Sequence, residues 1–460
     1  MSPSKSTSPY PVANATASYW RSEPHALDEH RSTPQLPERS DVVIVGAGFC
    51  GATAAYCLLK ESSPSRPSVT VLEAREACSG ATGRNGGHLR PDVFLDLVER
   101  SETDGLDVAN EIALFEVANA DAVAKLVEDE SIECELRKCT TGYAFLDEQE
   151  ARRLKLQYDG MLGKCPTMKN VAYHGPSEAE QLTSVRGAKA AFTFPAATLW
   201  PYKLVMGLLE RAVQKGLNLQ TNTPVLEVSE SADQEGYWNL STPRGDTKAR
   251  QVIFATNAYT GGILPQYKDD IVPVRGLMGR VVPMPKPSFS TQILHSSATK
   301  YLGFEYDYHA IQPDGSLVVG GAFVPHRKHP SRYNVSDDST LYEGTDDLFE
   351  GWAQKCFRGW EDVETKVENT WTGIMGTTPD KLPHIGRVPE KPGQFICAAF
   401  NGHGMPNVFL SAKGIVQMMQ TGCSLSDTGV PSCYETSPSR LQNWGNKEEV
   451  DGLGISADQI

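Results

Sequence analysis

The chain has 460 residues, of which 40% are hydrophobic and 22% are charged, and its formal net charge is −14. This length exceeds what one ordinary hydrophobic core organises, so we expect a globular enzyme of two domains. The negative charge argues against a surface that binds nucleic acid or an anionic membrane, because phosphate groups would be repelled. The sequence also lacks an apolar run of the roughly 20 residues that a membrane helix needs.

The N-terminal region, residues 1–38, is rich in Ser, Thr and Pro and is predicted to be a partly disordered tail, with Trp20 as an anchor. It has no apolar segment typical of a secretory signal, and the ten cysteines show no CxxC spacing. We therefore expect a cytoplasmic protein without disulfides. The pair His326 and His329 lies in a basic, proline-flanked loop and is interpreted as surface, so no metal site is predicted.

A strand, a glycine-rich turn and a helix are predicted between residues 41 and 60. Gly46 allows a tight turn, Gly48 lets the backbone approach a pyrophosphate, and Gly51 lets the helix pack on the strand. Amide groups at the helix start then face the phosphates. After a second strand at 69–72, Glu73 lies 22 residues beyond Gly51, where a carboxylate meets a ribose 2′-hydroxyl. The unit therefore predicts a site for FAD or NAD, but not for NADP.

The remaining pattern predicts one nucleotide-binding fold that is interrupted by a second domain. Hydrophobic periodicity favours helices at 107–130, 147–156, 202–215 and 408–419. Strands are predicted at 139–146, 217–228, 250–255, 271–284, 301–308, 316–323 and 394–399, and the stretch 335–360 is expected to be mixed and partly helical. Because the nucleotide fold begins near one terminus and is completed near the other, the second domain must be inserted into it.

Three further glycine-containing motifs follow the first along the chain. They are residues 79–88, residues 254–258 at a predicted strand end, and residues 383–386 with 400–404. In this order, the four motifs resemble the FAD-dependent D-amino-acid-oxidase-like oxidoreductases, which include sarcosine, glycine and γ-glutamylputrescine oxidases. Segment 79–88 is most similar to the γ-glutamylputrescine-oxidase-like members. The resemblance covers roughly residues 18–419.

The resemblance implies an α/β fold: a Rossmann-type FAD-binding domain with an inserted α+β substrate domain on a mainly antiparallel sheet. The predicted FAD-binding domain comprises residues 39–100, 186–268 and 366–425, the substrate domain comprises 101–185 and 269–365, and a C-terminal tail comprises 426–460. FAD is implied as a non-covalently bound cofactor. The predicted cofactor-binding residues are Gly46, Gly48, Phe49, Cys50, Gly51, Glu73, Ala74, Arg75, Ala81, Thr82, Arg84, Asn85, Gly86, Gly87, His88, Val225, Ala255, Thr256, Asn257, Gly386, Gly402, His403, Gly404 and Met405.

The turn at Gly402–Gly404 is implied to face the N1/O2 edge of the flavin. A reduced flavin carries negative charge there, and amides at a helix N-terminus stabilise it without a charged side chain. His403 either adds a donor or is held by backbone hydrogen bonds, and both interpretations stay open. The sequence departs from sarcosine oxidase, because residues 371–380 contain no cysteine for covalent attachment and residues 405–407 contain no lysine. Residues 316–320, which are implied to match the oxygen-activating strand, also contain no cation. The sequence therefore leaves open whether O₂ or another electron acceptor reoxidises the flavin.

Flavin-dependent amine oxidation needs a site that orients a C–H bond and favours the neutral amine. Tyr306 and Tyr308 share one face of a predicted strand and are candidate wall residues, although core packing explains them equally well. Arg84 and Arg90 are candidates to bind a flavin carbonyl or a substrate carboxylate. A surface ion pair would explain them equally well. With His403, the residues Arg90, Tyr306 and Tyr308 form the predicted catalytic set.

The sequence is thus interpreted as an FAD-dependent oxidoreductase of a small amine or amino acid. It would oxidise a C–N bond to an imine by hydride transfer to flavin N5. Two alternatives stay open: an FAD-dependent dehydrogenase or tailoring enzyme for another small metabolite, and a non-catalytic flavoprotein.

Overall fold

The structure is a computed structural model that describes residues 9–60, 66–284, 294, 296–301, 306–321, 332–345 and 347–441. The predicted histidine pair at 326 and 329 lies outside these residues. The helices are α1 (Phe49–Leu59), α2 (Leu95–Thr103), α3 (Leu106–Asp129), α4 (Glu148–Met161), α5 (Pro176–Thr183), α6 (Pro201–Gln214), α7 (Trp352–Cys356), α8 (Val408–Thr421) and α9 (Pro438–Leu441).

The described residues form seventeen strands. They are β1 (Arg39–Val45), β2 (Val69–Leu72), β3 (His88–Leu89), β4 (Arg137–Phe145), β5 (Ala172–His174), β6 (Ala190–Thr198), β7 (Asn218–Gln220), β8 (Glu227–Val228), β9 (Trp238–Thr242), β10 (Gly245–Phe254), β11 (Val272–Met284), β12 (Ser296–Lys300), β13 (Tyr306–Ile311), β14 (Leu317–Gly320), β15 (Glu364–Thr377), β16 (His384–Arg387) and β17 (Gln394–Ala398).

The first sheet has a parallel centre. Strand β1 lies between β2 and β10, with β7 beyond β2 and β17 beyond β10, and all of these neighbours are parallel. Strand β16 pairs antiparallel with β17 at one edge, and β9 pairs antiparallel with β10. Val42 and Ile44 join a core with α1, α6 and α8, while Val43 and Val45 join a core on the opposite face. A parallel strand covered on both faces explains the continuous apolar run of β1.

The second sheet has the strand order β15-β11-β14-β13-β12-β4-β6-β3, and β5 also pairs with β6. Neighbouring strands are antiparallel except for β12 and β4, which are parallel. The two sheets and their helices confirm the predicted fold class, a Rossmann-type domain with a second domain on a mainly antiparallel sheet.

The predicted domain limits cut through the second sheet. Strand β6 falls within the predicted FAD-binding segment 186–268 but pairs with β4 over its whole length. Strand β15 begins just before the segment 366–425 and pairs with β11 from Val272↔Thr377 to Met284↔Glu364. The two-residue strand β3 pairs with β6. These three strands therefore belong to the second sheet, and the exact domain ranges remain a proposal.

Several predicted strands are shorter in the structure. The stretch 217–228 contains two short strands, β7 and β8, because Asn222 adopts a φ of +50° and Pro224 has no amide to donate. The strand predicted at 301–308 begins at Tyr306, and residues 302–305 lie outside the described part of the chain. Within the stretch 335–360, the described residues contain one α-helix, α7.

The described part of the N-terminal region is packed on the protein and is not a detached tail. Trp20 is fully buried, its ring lies 5.5 Å from that of Trp200, and its Nε1 donates to Asn85 O at 2.5 Å. The start of the predicted C-terminal tail is also packed, since Tyr434 is buried and its hydroxyl donates to Asn407 Oδ1 at 3.0 Å. Both segments thus cover the globular core.

Candidate active site

A cavity of about 580 Å³ is lined by residues of both sheets. Its lining includes the turn after β1 and Glu73 as well as Tyr306, Tyr308 and His403. The ends of β1 and β10 and the turn that follows β17 lie along it. The cavity therefore connects the predicted nucleotide site with the predicted substrate wall.

The turn after β1 has the backbone geometry that its glycines predict. Gly46 has a φ of +106°, and a Cβ there would lie 2.7 Å from Ala255 O. A Cβ at Gly51 would lie 1.9 Å from Gly46 O, so Gly51 is required for α1 to pack on the turn. At Gly48 an added Cβ would meet Thr82 Oγ1 at 3.4 Å, an ordinary contact. Gly46 and Gly51 thus shape the turn, while Gly48 borders open cavity.

Glu73 is held by backbone amides at the edge of the cavity. Its Oε2 accepts from Ala47 N at 2.7 Å and its Oε1 from Arg75 N at 3.0 Å. Both carboxylate oxygens are therefore fixed by neutral donors, and Glu73 keeps its position beside Ala74 and Val225, which also line the cavity. A carboxylate held in this way is well placed to accept hydrogen bonds from ribose hydroxyls.

The segment 79–88 forms one wall of the cavity. Ala81 and Thr82 line it within a short 3-10 helix, and Thr82 Oγ1 accepts from Phe49 N at 3.2 Å. Asn85 closes the next turn, because its Oδ1 accepts from Gly87 N at 2.8 Å. A Cβ at Gly86 would lie 2.7 Å from the ring of Tyr308. A glycine at 86 therefore lets this segment pack directly against β13.

Arg75 and Arg84 line the cavity but are engaged by Asp338. Arg75 pairs with Asp338 at 2.8 Å, and Arg84 Nε lies 3.3 Å from Asp338 Oδ2. Arg84 also donates to Ser79 O and Thr372 O, both at 2.8 Å. Burial lowers the pKa of Arg84 to about 10, so it stays charged at neutral pH. The predicted role of Arg84 at a flavin carbonyl or substrate carboxylate stays a prediction, and its ion pair with Asp338 is buried rather than on the surface.

The end of β10 and the end of β17 are joined by Asn257. Its Oδ1 accepts from Ala399 N at 3.0 Å and from Phe400 N at 3.2 Å. Ala255, Thr256 and Asn257 all line the cavity beside this turn. Asn257 therefore fixes the backbone that leads into Gly402–Gly404.

His403 lies on the cavity wall and is bound to a buried carboxylate. Its Nε2 donates to Glu116 Oε2 at 3.0 Å, and the Glu116 side chain is 2% exposed. Burial opposes a charge on His403, but Glu116, with Asp92 and Asp96, outweighs this and raises the pKa of His403. The histidine is therefore held by a side chain, an arrangement that neither of the two sequence interpretations included.

Two cations, Arg90 and Lys300, lie in the part of the cavity that contains Tyr306 and Tyr308, and Lys300 Nζ is 4.4 Å from the centre of the Tyr306 ring. The guanidinium carbon of Arg90 lies 5.1 Å from the centre of the Tyr143 ring. Within the described part of the chain, its Nε and Nη1 are buried and have no hydrogen-bond partner. Although burial opposes the charge, Tyr143 and Asp92 raise the pKa of Arg90. The cavity thus contains a guanidinium with two nitrogens, Nε and Nη1, that make no hydrogen bond to the residues that the structure describes.

Tyr306, Tyr308 and His88 lie near Arg90 in the same part of the cavity. The two tyrosine rings are 6.0 Å apart on one face of β13, and His88 meets Tyr308 edge to face at 5.4 Å. His88 Nε2 donates to His309 O at 2.9 Å. Burial, aided by Arg90, lowers the pKa of His88 to about 3, so its imidazole is neutral. This end of the cavity is therefore aromatic, with Arg90 and Lys300 as cations beside the tyrosine rings.

The cavity brings together most of the predicted site residues. Those that line it are Gly46, Gly48, Phe49, Cys50, Glu73, Ala74, Arg75, Ala81, Thr82, Arg84, Asn85, Gly86, His88, Arg90, Val225, Ala255, Thr256, Asn257, Tyr306, Tyr308, Gly402, His403, Gly404 and Met405. Gly51 and Gly87 pack behind it, where an added Cβ would meet Gly46 O and the Trp20 ring. Gly386 is a correction, because strand β16 is at the sheet edge and a Cβ there would face Glu435 and Thr436.

Three functional candidates were missed: Glu116, Asp338 and Tyr259. Glu116 had a visible signal, since it shares a helix face with Ile112 and Val123 and is therefore a charged residue in an apolar stripe. Tyr259 lines the cavity, and its buried hydroxyl has no hydrogen-bond partner among the described residues. The glycine turn, the Glu73 carboxylate and this hydroxyl together fit a dinucleotide such as FAD.

The chain is similar in sequence to known oxidoreductases over most of its length. Residues 41–418 match the family described as DAO, FAD dependent oxidoreductase. The chain is 24% identical over 387 residues to the probable oxidoreductase OrdL of Haemophilus influenzae, covering 83% of each protein. It is 22% identical over 400 residues to the γ-glutamylputrescine oxidoreductase of Escherichia coli, again covering 83% of each.

A solved structure has the same fold. The glycine oxidase of Geobacillus kaustophilus superposes with a TM-score of 0.65 at 21% identity, and the match covers 86% of this chain and 99% of that protein. No helix within the described residues has the length and apolar character needed to cross a membrane.

Proposed function

The chain belongs to the DAO family of FAD-dependent oxidoreductases, and on this basis we propose that it oxidises a C–N bond of a small, carboxylate-bearing amine to an imine. Bound FAD supplies the oxidising power, by accepting two electrons and the hydrogen of the C–H bond that is broken. Water then hydrolyses the imine to a carbonyl compound and an amine or ammonia. O₂ or another small oxidant takes the electrons onward.

The observation that carries this proposal is that Nε and Nη1 of Arg90 are buried and make no hydrogen bond among the described residues. Buried donors without acceptors are costly, so a site that retains them is complementary to an acceptor group that arrives with the ligand. Arginine matches a carboxylate in particular, because two parallel N–H groups meet its two oxygens. Arg90 lies beside Tyr306 and Tyr308, and we assign it to the carboxylate of the substrate.

The surrounding side chains favour the neutral form of the substrate amine. Apolar and aromatic walls disfavour an ammonium, because burial removes its hydration. Tyr308 and the neutral His88 form such a wall, and Tyr308 is held by a hydrogen bond from its hydroxyl to Met278 Sδ at 3.1 Å. With the carboxylate fixed at Arg90 and the amine against this wall, the α-carbon has one preferred orientation.

An anaerobic reduction experiment tests the proposal. Glycine, L-proline and γ-glutamylputrescine are each mixed with the oxidised enzyme beside methylamine, pyrrolidine and N-acetylputrescine, which lack the carboxylate. We expect bleaching of the flavin by at least one carboxylate-bearing amine and much weaker reduction by its partner. Arg90→Gln should weaken apparent binding of that amine about 10- to 100-fold, since a charge-assisted hydrogen bond contributes about 1.5–3 kcal/mol.

The matched variant Arg90→Lys keeps the charge but not the paired donors. Its apparent affinity for the amine should therefore lie between those of the wild type and Arg90→Gln. Equal reduction by both members of each pair, or full binding in Arg90→Gln, would remove Arg90 from substrate recognition. If no amine reduces the flavin but a hydroxy acid such as lactate does, the enzyme is a dehydrogenase of another metabolite. If neither the amines nor the hydroxy acid reduce the flavin, the result favours a non-catalytic flavoprotein.

A further inference from the structure

Glu116 connects three segments that line the cavity. Its Oε2 accepts from His403 Nε2 at 3.0 Å and from Asp92 N at 2.7 Å, and its Oε1 accepts from Asn407 Nδ2 at 2.8 Å. Asp92 lies two residues after Arg90, and Asn407 precedes helix α8. One buried carboxylate thus fixes the turn at Gly402–Gly404 relative to the arginine segment.

We propose that Glu116 is the positioning residue of the site, which orients the imidazole of His403 and keeps it cationic where the Gly402–Gly404 turn meets the flavin. The proposal rests on the proposed function in one respect, namely that this turn faces the flavin. Glu116 itself acts through His403 and does not need to touch the cofactor.

The donors around Glu116 explain why His403 carries the positive charge that compensates the carboxylate. Asp92 N and Asn407 Nδ2 are neutral donors, so they hold the carboxylate without neutralising it. The one side chain among its three partners that can take up a compensating charge is His403. A buried carboxylate that is bound to an imidazole stabilises the imidazolium.

Two other carboxylates act on His403 in the same direction. Asp92, which precedes α2, and Asp96, in its first turn, add to the effect of Glu116. Since Nε2 is bound to Glu116, Nδ1 is the nitrogen at which the second proton is held or lost. A cation at this position stabilises negative charge that develops nearby in the cavity.

The chain offers a matched control on the same helix. Asn119, fully buried one turn from Glu116, donates from Nδ2 to Met405 O at 3.2 Å and accepts from Leu410 N at 2.8 Å. It therefore anchors the same turn to α3 without a charge. Removing Asn119 loosens the turn, whereas Glu116→Gln keeps the side-chain shape and removes the charge.

Two measurements on the FAD-loaded protein test the proposal. The imidazole resonances of His403, assigned by comparison with His403→Gln, are titrated by NMR, and the flavin midpoint potential is measured by equilibration with dyes. In Glu116→Gln we expect the pKa of His403 and the midpoint potential both to fall. In Asn119→Ala we expect the pKa of His403 to stay at its wild-type value and the midpoint potential to change less than in Glu116→Gln, even though the thermal stability decreases.

Three results would overturn the proposal. The first is a midpoint potential that Glu116→Gln leaves unchanged, and the second is an equal shift in Asn119→Ala. The third needs no variant at position 116: a His403 in the wild-type protein whose pKa is not above the ordinary histidine value. Neither measurement requires a substrate, so failure of the amine-oxidation assay is distinguishable from failure of this proposal.

Discussion

The carboxylate of Asp338 forms a two-point ion pair with the guanidinium of Arg75, with Nη1–Oδ1 and Nη2–Oδ2 distances of 2.8 and 3.0 Å. The same carboxylate lies 3.3 Å from Arg84 Nε, and the Asp338 side chain is 1% exposed. One acid thus compensates two buried cations on the wall of the cavity. Because the backbone O of Asp338 accepts from Thr372 Oγ1 of β15 at 3.1 Å, the pair also links the nucleotide-binding half to the second sheet.

Replacing Asp338 by asparagine is expected to destabilise the FAD-free protein by about 3–5 kcal/mol, because two buried guanidinium groups lose their counter-ion. Denaturant unfolding measures this change. The control is Asp159→Asn, which breaks the exposed pair of Asp159 with Lys155 and should cost less than about 1 kcal/mol. Similar losses in the two variants would mean that the buried cluster contributes no more than a surface pair.

Sequence reasoning predicts the nucleotide site from determinants that are local. Gly46, Gly48 and Gly51 lie within one turn, and Glu73 follows the next strand, so spacing alone relates them. The same holds for helix α3, predicted at 107–130 and observed at Leu106–Asp129. Within such a segment, each residue constrains its neighbours directly.

The elements that were missed depend on distant partners. Strand β15 alternates exposed charged residues with half-buried ones over its first half, and its pairing with β11 becomes evident only when the two are aligned. Asp338 and Glu116 are likewise explained by residues hundreds of positions away. Arg84 is a similar case, because its position beside a glycine motif suggested ligand binding and its ion pair with the distant Asp338 could not be inferred from that local pattern.

Valine substitutions at Gly46 and Gly48 are expected to have different effects. Gly46→Val should prevent folding, since its φ of +106° and the 2.7 Å approach to Ala255 O exclude a side chain. Gly48→Val should leave a folded protein, because Gly48 has an extended φ of −79° and its Cβ would meet Thr82 at an ordinary distance. It should nevertheless fail to bind FAD, because the added methyl groups occupy the cavity.

Melting curves of the FAD-free variants and titrations with FAD distinguish these effects. If Gly48→Val melts at nearly the wild-type temperature and binds FAD with wild-type affinity, the turn is not part of the cofactor site.

FAD is expected to be released when the protein is precipitated with acid. Residues 371–380 contain no cysteine, and burial raises the pKa of the Cys397 thiol, which lines the cavity, well above its usual value. His88 Nε2 is occupied by its hydrogen bond to His309 O. Absorbance of the supernatant at flavin wavelengths measures the released fraction. Flavin that stays in the pellet, but is released from His88→Ala, would identify a histidyl linkage.

Acidification is expected to destabilise the protein through His88. Its pKa is about 3 in the folded protein against 6.5 in the unfolded chain, so the unfolded state binds more protons between these values. The stability associated with neutral His88 is therefore complete above pH 6.5 and is lost as the pH falls toward 3. The free energy of unfolding should decrease less steeply from pH 6.5 to pH 4 in His88→Gln than in the wild type. Parallel curves would contradict a buried, neutral His88.

The pair of His403 and Glu116 is expected to make the stability of the protein depend on pH above 6.5. Because the pKa of His403 is raised in the folded protein, the folded state binds more protons above the unfolded value of 6.5. The stability that the pair contributes is therefore fully present below pH 6.5 and is lost as the pH rises through the raised pKa. Unfolding of wild type and His403→Gln at a series of pH values from about 6 upward measures it. We expect the wild type to be more stable at pH 6 and the difference to narrow as the pH increases. A difference that stays constant would mean that His403 stabilises the turn only as a neutral hydrogen-bonding group.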